Sequence, residues 1–414
     1  MESNFLQLKK EQVLAQKHDR ATFIYAISKL FERSGYYGLR AVLILYMIGE
    51  TLNMSHIDAI SAYGIFASSI IISQIIGAIL GDLFIGNKNS IILGGLLQAL
   101  GAFFLCIPST IGLYTGLVFI AIGGGLYMPN LLSIYGKSYL AKPKLLDSAF
   151  SILYVATNIG AFMSVLLIAF VAHEFGFSKG FAIAGIFFII SIIFPLLLRE
   201  QKTLNFTQPT ISMNKRIIVI LTVCLLSGVF WGVYETIGYA LFDIKSKIIE
   251  VSTLNIPSGI WDGLDTILVF SLSIIAAITW TFMYYNQFIK LTIGFLFATT
   301  AISILFYIPE VPLENHSIYY LTATIFLAVA EIHMTPVIRS LLTLYTNPKY
   351  LAILMSLVFL PYKIVYTIIM LLFNDPLQDN ASLALKFSVI LLGAMSIGLI
   401  IFLLTSSKLF KENQ

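Results

Sequence analysis

Six polar side chains recur along one mostly apolar stretch, SKLFERSGYYGLR, between Ser28 and Arg40. They are Lys29, Glu32, Arg33, Tyr36, Tyr37 and Arg40, and their spacings of three, one, three, one and three place all six on one face of a helix. A charge at the centre of a bilayer costs about 2.5–3.5 kcal/mol on insertion scales. A stripe this polar therefore lines a cavity or pairs with another helix. Further charges stand deep in later apolar runs. Trp231, Glu235 and Tyr239 share a face at spacing four, as do Glu331, Thr335 and Arg339, with His333 nearby. Asp262 and Asp265 open another run, and Lys363 lies near the middle of a further one. Lys363 is too central to reach water by extending its side chain, so it needs a carboxylate or a cavity; Arg339 is expected to snorkel to the near surface. His333 reads as an ordinary helix contact.

Acids and bases from both halves of the chain suit a small zwitterionic solute, with one half holding its carboxylate and the other its ammonium. Carboxylates in such a place also carry protons, which is the physical basis of proton symport. Enzyme chemistry finds no support: there is no GxxxxGK[ST] phosphate loop, no HExxH and no paired CxxC. The Gly123–Gly125 run reads as helix packing. Cys106 and Cys224 both fall in apolar runs and read as small core residues, neither a disulfide nor a metal pair. No cofactor, metal or nucleic-acid partner is expected, and transport is expected to draw on an ion gradient.

The elements that must position these groups follow from composition. The chain has 414 residues, 58% hydrophobic and 11% charged, where soluble domains carry about 25% charged residues. So few charges cannot cover a water-facing surface. Apolar runs of about twenty residues, long enough to cross hydrocarbon, predict an all-α transmembrane protein of twelve spans. The first half has Ala21–Ile48, Ile57–Ile85, Ser90–Ile107, Ile111–Tyr135, Asp147–Ala172 and Gly180–Leu198. The second half has Ile217–Phe242, Trp261–Tyr284, Phe288–Ile308, Ile318–Tyr345, Tyr350–Phe373 and Ala384–Leu404.

Lysines and arginines sort with this count. Lys9, Lys10, Lys17, Arg20, Lys88, Lys137, Lys142, Lys144, Arg199, Lys202, Lys215, Arg216, Lys349, Lys408 and Lys411 fall on the side of the termini. The opposite loops hold Lys179, Lys245 and Lys247, with Lys386 at a helix end, and acids such as Glu310, Glu314, Asp375 and Asp379. The positive-inside rule then puts both termini in the cytoplasm. The polar start, Met1 to Arg20, has no apolar core for a cleavable signal. The longest cytoplasmic loop splits six spans from six, the layout of a major facilitator fold with two six-helix bundles. The expected division is an N-terminal segment over 1–20, a bundle over 21–198, a linker over 199–216, a second bundle over 217–404 and a tail over 405–414. Asp82 and Lys88 in GAILGDLFIGNK sit at the turn where that fold carries a charged loop motif.

Four patches, in order, resemble the proton-dependent oligopeptide transporters (the POT or PTR family). ERSGYYGLR, from Glu32 to Arg40, is similar to the signature ExxERFxYYG. GGGLYMPN, from Gly123 to Asn130, is similar to GxGxxKPN. DSAFSILYVATNIGA, from Asp147 to Ala161, is similar to the fifth-helix motif, and Glu331 to Leu360 to the tenth-helix glutamate, proline and following aromatic segment. The resemblance implies that Arg33 and Arg40 lie at a peptide carboxylate, that Tyr36, Tyr37 and Asn158 contact peptide, and that Glu331 receives its ammonium. It implies that Glu235, preceded by Phe230 and Trp231, and Glu32 belong to proton coupling. Trp231 and Asp265 complete the expected binding set. The implied protein is a monomeric symporter of di- and tripeptides in the inner (plasma) membrane, working by alternating access.

The chain departs from that family at Lys29, where the first acid of the signature belongs, at Met128 in place of a lysine, at Ile71 in place of a tyrosine, and at Asp265 in place of an asparagine. Lys29, Glu32, Arg33 and Met128 sum to one positive charge. Reciprocal loss and gain of charge suggests that Lys29 replaces the missing fourth-helix lysine as partner of Glu235 or Glu32. The apolar Met128 and Ile71 also keep open a transporter of another organic solute, by efflux of a drug, metabolite or siderophore or by uptake of an organic ion, with altered proton coupling.

Overall fold

Every regular element among the described residues is helical. The structure, a computed structural model, describes residues 17–198, 212–254, 256–358, 360–373 and 381–410, without the side chains of 258, 259, 262, 372, 373 and 406–410. The N-terminal segment up to residue 16, the linker over 199–211, the tail from 411, Asp375 and Asp379 lie outside the described residues, as does the side chain of Asp262.

The helices are α1 (Arg20–Ile48), α2 (His56–Leu80), α3 (Asn87–Leu105), α4 (Thr110–Lys137), α5 (Leu146–Met163), α6 (Phe170–Phe175) and α7 (Phe177–Leu196). Then come α8 (Met213–Thr236), α9 (Gly238–Val251), α10 (Ser258–Phe282), α11 (Gln287–Phe306), α12 (His316–Tyr345), α13 (Leu351–Leu357), α14 (Leu360–Phe373) and α15 (Ala381–Phe410). Among the described residues, eleven stretches are long and apolar enough to cross a membrane. Helix α1 is not one of them, although its 29 residues would span about 44 Å. Lys29, Glu32, Arg33 and Arg40 dilute its apolar character, and the same charges make it the centre of the site described below.

Three expected spans are interrupted. The run Ile217–Phe242 is not one helix: α8 ends at Thr236 and α9 starts at Gly238 after Ile237. Tyr239 therefore does not continue the face of Trp231 and Glu235. The fifth span passes from α5 through a π-helical turn (Ser164–Ala169) into α6. The eleventh is divided into α13 and α14, with Pro361 in the first turn of α14, where a missing N–H costs no hydrogen bond.

The chain forms two compact units. The first comprises residues 1–207 together with 277–284 and 348–353. In it α4 packs on α2 and α3, and α1 on α5 and α7. Glycine makes the close approaches. A Cβ on Gly77 would lie 2.3 Å from the Gly125 carbonyl oxygen, and one on Gly125 would lie 2.4 Å from the Ser73 backbone. Lipid supplies no hydrophobic drive between helices, so such backbone contact provides the packing energy. Pro129 inside α4 is accompanied by Asn130, whose side chain donates to the carbonyls of Gly77 (2.9 Å) and Leu126 (2.7 Å). At the turn after α2, the Asp82 carboxylate accepts from Asn87 (2.9 Å), Lys137 (3.4 Å) and the backbone N–H of Ile353 (3.1 Å). The expected charged turn is thus a capping network.

The second unit comprises residues 208–276, 285–347 and 354–414. In it α11 packs on α12 and α15, and α8 on α12 and α14. Gly228 and Gly232 of α8 meet α14 directly: added Cβ atoms would lie 2.6 Å from Pro361 and 2.8 Å from Val365. Both units expose many large apolar side chains, among them Ile65, Phe84, Leu221 and Leu404, as lipid-facing surfaces require.

Candidate functional site

Helix α1 carries its polar residues inward. Lys29 and Glu32 are fully buried, and Arg33 is nearly so. The Arg33 guanidinium grips the Glu32 carboxylate with Nε and Nη2 at 2.6 and 2.5 Å. Gln98 of α3, itself fully buried, donates a third hydrogen bond to Glu32 at 3.0 Å. One turn earlier on the helix, Ser28 donates to the Ser191 carbonyl (2.7 Å), and its hydroxyl also bonds the Tyr127 hydroxyl (2.6 Å). This end of the stripe is a dry, cross-braced ionic core joining α1, α3, α4 and α7.

The next two turns differ. Tyr36, Tyr37 and Arg40 are half-buried. The Arg33 guanidinium carbon lies 4.5 Å from the Tyr36 ring centre, and that of Arg40 lies 5.6 Å from Tyr36 and from Tyr63. Arg40 donates from Nε and Nη2 to the Tyr63 hydroxyl at 2.8 and 2.6 Å. Among the described residues it makes no ion pair with a carboxylate. A guanidinium cradled by phenols and not by an acid retains its capacity to hold an anion. Asn158 is half-buried on α5 and donates to the Tyr154 carbonyl at 3.1 Å.

In the second unit, Trp231 packs on Phe230 and Tyr234 with ring centres 5.2 and 5.6 Å apart. Tyr234 stands within electrostatic reach of both Glu331 and Asp265. Tyr234 and Asp265 line a cleft of about 210 Å³, together with Trp261, Lys245 and Tyr320. His333 Nδ1 lies 2.8 Å from the Val329 carbonyl, the helix contact expected of it. Arg339 is buried and does not snorkel.

Glu235 pairs with Lys363 at 2.8 Å. Its carboxylate is thus engaged from α14, while the partners of Glu32 include Arg33 and Gln98. Lys363 has the carboxylate that its depth demands. Residues missed from the sequence are Gln98, Tyr63 and Tyr127, all uncharged, and the Glu235–Lys363 pairing. A search for charges passes over the first three. The Gly228/Gly232 spacing was the readable sign of the close α8–α14 approach that makes the pair.

A profile of the Major Facilitator Superfamily matches residues 25–413. Dipeptide and tripeptide permease A of Proteus mirabilis (strain HI4320) is 35% identical over 92 residues, covering 22% of this chain and 19% of that protein. The chain therefore matches it over only about a fifth of its length. Similarity of fold extends much further. A POT family transporter in complex with thioalcohol conjugated peptide superposes with a TM-score of 0.63 at 18% identity, over 96% of this chain and 99% of that one. A POT family transporter in complex with 5-aminolevulinic acid superposes with a TM-score of 0.61 at 18% identity, over 94% and 98%. With a family profile spanning nearly all its helices and a matching fold, the chain belongs to the Major Facilitator Superfamily.

Proposed function

We propose that the chain is a secondary active transporter that moves di- and tripeptides together with protons by alternating access. The observation that carries this reading is Arg40, half-buried, held by Tyr63 and flanked by Tyr36, with no acid paired to it among the described residues. It is suited to the carboxylate end of a zwitterion. Arg33, already engaged by Glu32, serves that end by its charge more than by open hydrogen bonds. Glu331 and Asp265 around Tyr234 suit the ammonium end, and Tyr36, Tyr37, Asn158 and Trp231 supply the remaining contacts. The names of the relatives agree with this substrate class. Protons reside on Glu32 or Glu235, and Lys29 sets the charge balance around Glu32. The distribution of lysine and arginine supports cytoplasmic termini and the inner (plasma) membrane, and the fold suits a monomer that divides as 21–198 and 217–404.

The test is uptake of labelled dialanine into proteoliposomes, with and without an inward proton gradient. Gradient-dependent uptake is expected, and Arg40→Gln should reduce it roughly ten- to hundredfold, the worth of about 1.5–3 kcal/mol for a hydrogen bond to a charged group. A second reading, another small organic solute, is favoured by buried Met128 on α4, where a lysine would have supplied a polar contact. Absence of dialanine uptake alongside uptake of an amino acid such as 5-aminolevulinic acid would select it.

A further inference from the structure

The two acids assigned to proton coupling differ in one physical respect. Glu32 is 0% exposed and locked to Arg33. Glu235 is 41% exposed and its partner Lys363 40%. The exposed pair is therefore the more accessible of the two to an incoming proton. The open pair also ties two helices together. Glu235 stands in the last turn of α8, and Lys363 in the first turn of α14. Gly228 and Gly232 bring the helices into backbone-scale contact at Pro361 and Val365, two turns and one turn before Glu235. The Lys363 ammonium lies 5.0 Å from the Tyr362 ring centre and 5.7 Å from that of Tyr366, so aromatic faces receive it when the carboxylate is lost.

We propose that Lys363 is the positioning residue of proton coupling: its ion pair with Glu235 clamps α14 to α8, and protonation of Glu235 opens the clamp. The step is a proton transfer from water to the Glu235 carboxylate, which gives a neutral carboxylic acid and leaves Lys363 a cation without its counter-charge. The charged group that meets Lys363 is Glu235, with the Tyr362 phenol beside it. Other acidic and basic side chains on helices packed against α8 are His316, Glu331, His333 and Arg339 of α12, Lys386 of α15, and Lys245, Glu250 and the Asp243–Lys247 pair of α9, closed on itself at 2.7 Å.

This inference rests on the proposed peptide symport, and two transport modes separate the two. Peptide counterflow needs substrate binding and alternation but no net proton movement, whereas accumulation against a gradient needs the coupling step. In proteoliposomes loaded with dialanine, Lys363→Met is expected to keep counterflow while proton-driven accumulation falls roughly tenfold, within the usual range of coupling between two sites. Lys363→Arg should restore accumulation, because it restores the ion pair. Glu235→Gln/Lys363→Met should do no worse than either single variant. Lys363→Met that accumulates dialanine as the wild type does overturns the clamp and leaves the symport reading standing. Equal loss of both modes in Lys363→Met but not in Lys363→Arg assigns Lys363 to binding or to structure, and also overturns it. Wild-type protein without dialanine counterflow overturns the symport reading and the clamp with it.

Discussion

The ionic core of α1 makes a prediction that distinguishes charge balance from hydrogen-bond counting. Lys29, Glu32 and Arg33 are all buried on one helix face and sum to one positive charge. Glu32→Gln raises that sum to two positive charges. Arg33→Met lowers it to zero and leaves Gln98 donating to the carboxylate at 3.0 Å. Counting contacts alone gives the opposite order. Arg33 would keep the Tyr36 ring at 4.5 Å after loss of Glu32, while Glu32 would lose two bonds after loss of Arg33. The magnitudes decide between them. A cation over an aromatic ring contributes about 0.5–2 kcal/mol, whereas stripping a buried pair of one partner costs about 3–5 kcal/mol, and here a second buried cation adds repulsion. Glu32→Gln is therefore expected to destabilise by about 3–5 kcal/mol and Arg33→Met by distinctly less.

The assay is unfolding of purified protein in mixed micelles, followed by tryptophan fluorescence across a denaturant series. Adding Lys29→Met to Glu32→Gln returns the sum to one positive charge, so the double variant should be more stable than Glu32→Gln alone, although it removes one more side chain. Such negative cost of a second mutation is the signature of coupled sites. If Arg33→Met is as destabilising as Glu32→Gln, or if Lys29→Met worsens Glu32→Gln, the charge-balance argument is refuted and Lys29 is not part of the same electrostatic unit.

Other outcomes follow from separate parts of the molecule. Gly125→Ala places a Cβ 2.4 Å from the Ser73 backbone, which cannot yield by rotamer change, so a loss of about 1–3 kcal/mol is expected in the same unfolding assay; an unchanged midpoint would deny the close α2–α4 contact. His18, just before α1, bonds Tyr139 at 2.6 Å, Thr281 at 3.0 Å and Ser148 at 3.1 Å. Burial, helped by Lys142 and opposed by Asp19, holds its imidazole below the ordinary 6.5. The unfolded chain then binds the proton more tightly than the folded one, so the contribution is whole above 6.5 and is lost as pH falls below it. Melting temperature should therefore rise with pH up to about 6.5 and level off above it, and His18→Gln should flatten that rise. Arg40→Lys keeps the charge but not the planar fork that can hold Tyr63 and a carboxylate together. Dialanine should compete about tenfold less well with a labelled peptide, and unaltered competition would remove Arg40 from the carboxylate end.

What the sequence disclosed and what it hid divide along a physical line. A charge in an apolar run is conspicuous, so Lys29, Glu32, Arg33, Arg40, Glu235 and Lys363 were all visible. Helix periodicity then assigned the α1 residues to one face, and the structure places them there. An uncharged amide or phenol in such a run carries no comparable signal, so Gln98, in the run GGLLQALG, passed as one more residue of a span. Pairing between helices is not a local property at all. Glu235 meets Lys363 because two glycines on α8 admit α14, and the separation of 128 positions holds no trace of it. The break at Ile237 was hidden because the apolar run continues through Phe242, yet Ala240, Ile244 and Ile248 are the buried residues of α9, a four-residue period that marks a separate amphipathic helix.

The same line bears on the inverted charge at Lys29. From sequence alone, a lysine gained on the first helix and lost from the fourth reads as one exchange around a shared acid. The geometry separates the two acids. Glu32 is enclosed with Arg33 and Gln98, and Glu235 is open and held by a lysine from α14. A buried, braced carboxylate fixes the shape of its bundle. An open one on a divided helix can follow the proton gradient. Under the proposed clamp, the coupling burden falls on the Glu235–Lys363 pair. A transporter so arranged keeps its proton response in Lys29→Met and loses it in Lys363→Met, a contrast that uptake at two external pH values reads directly.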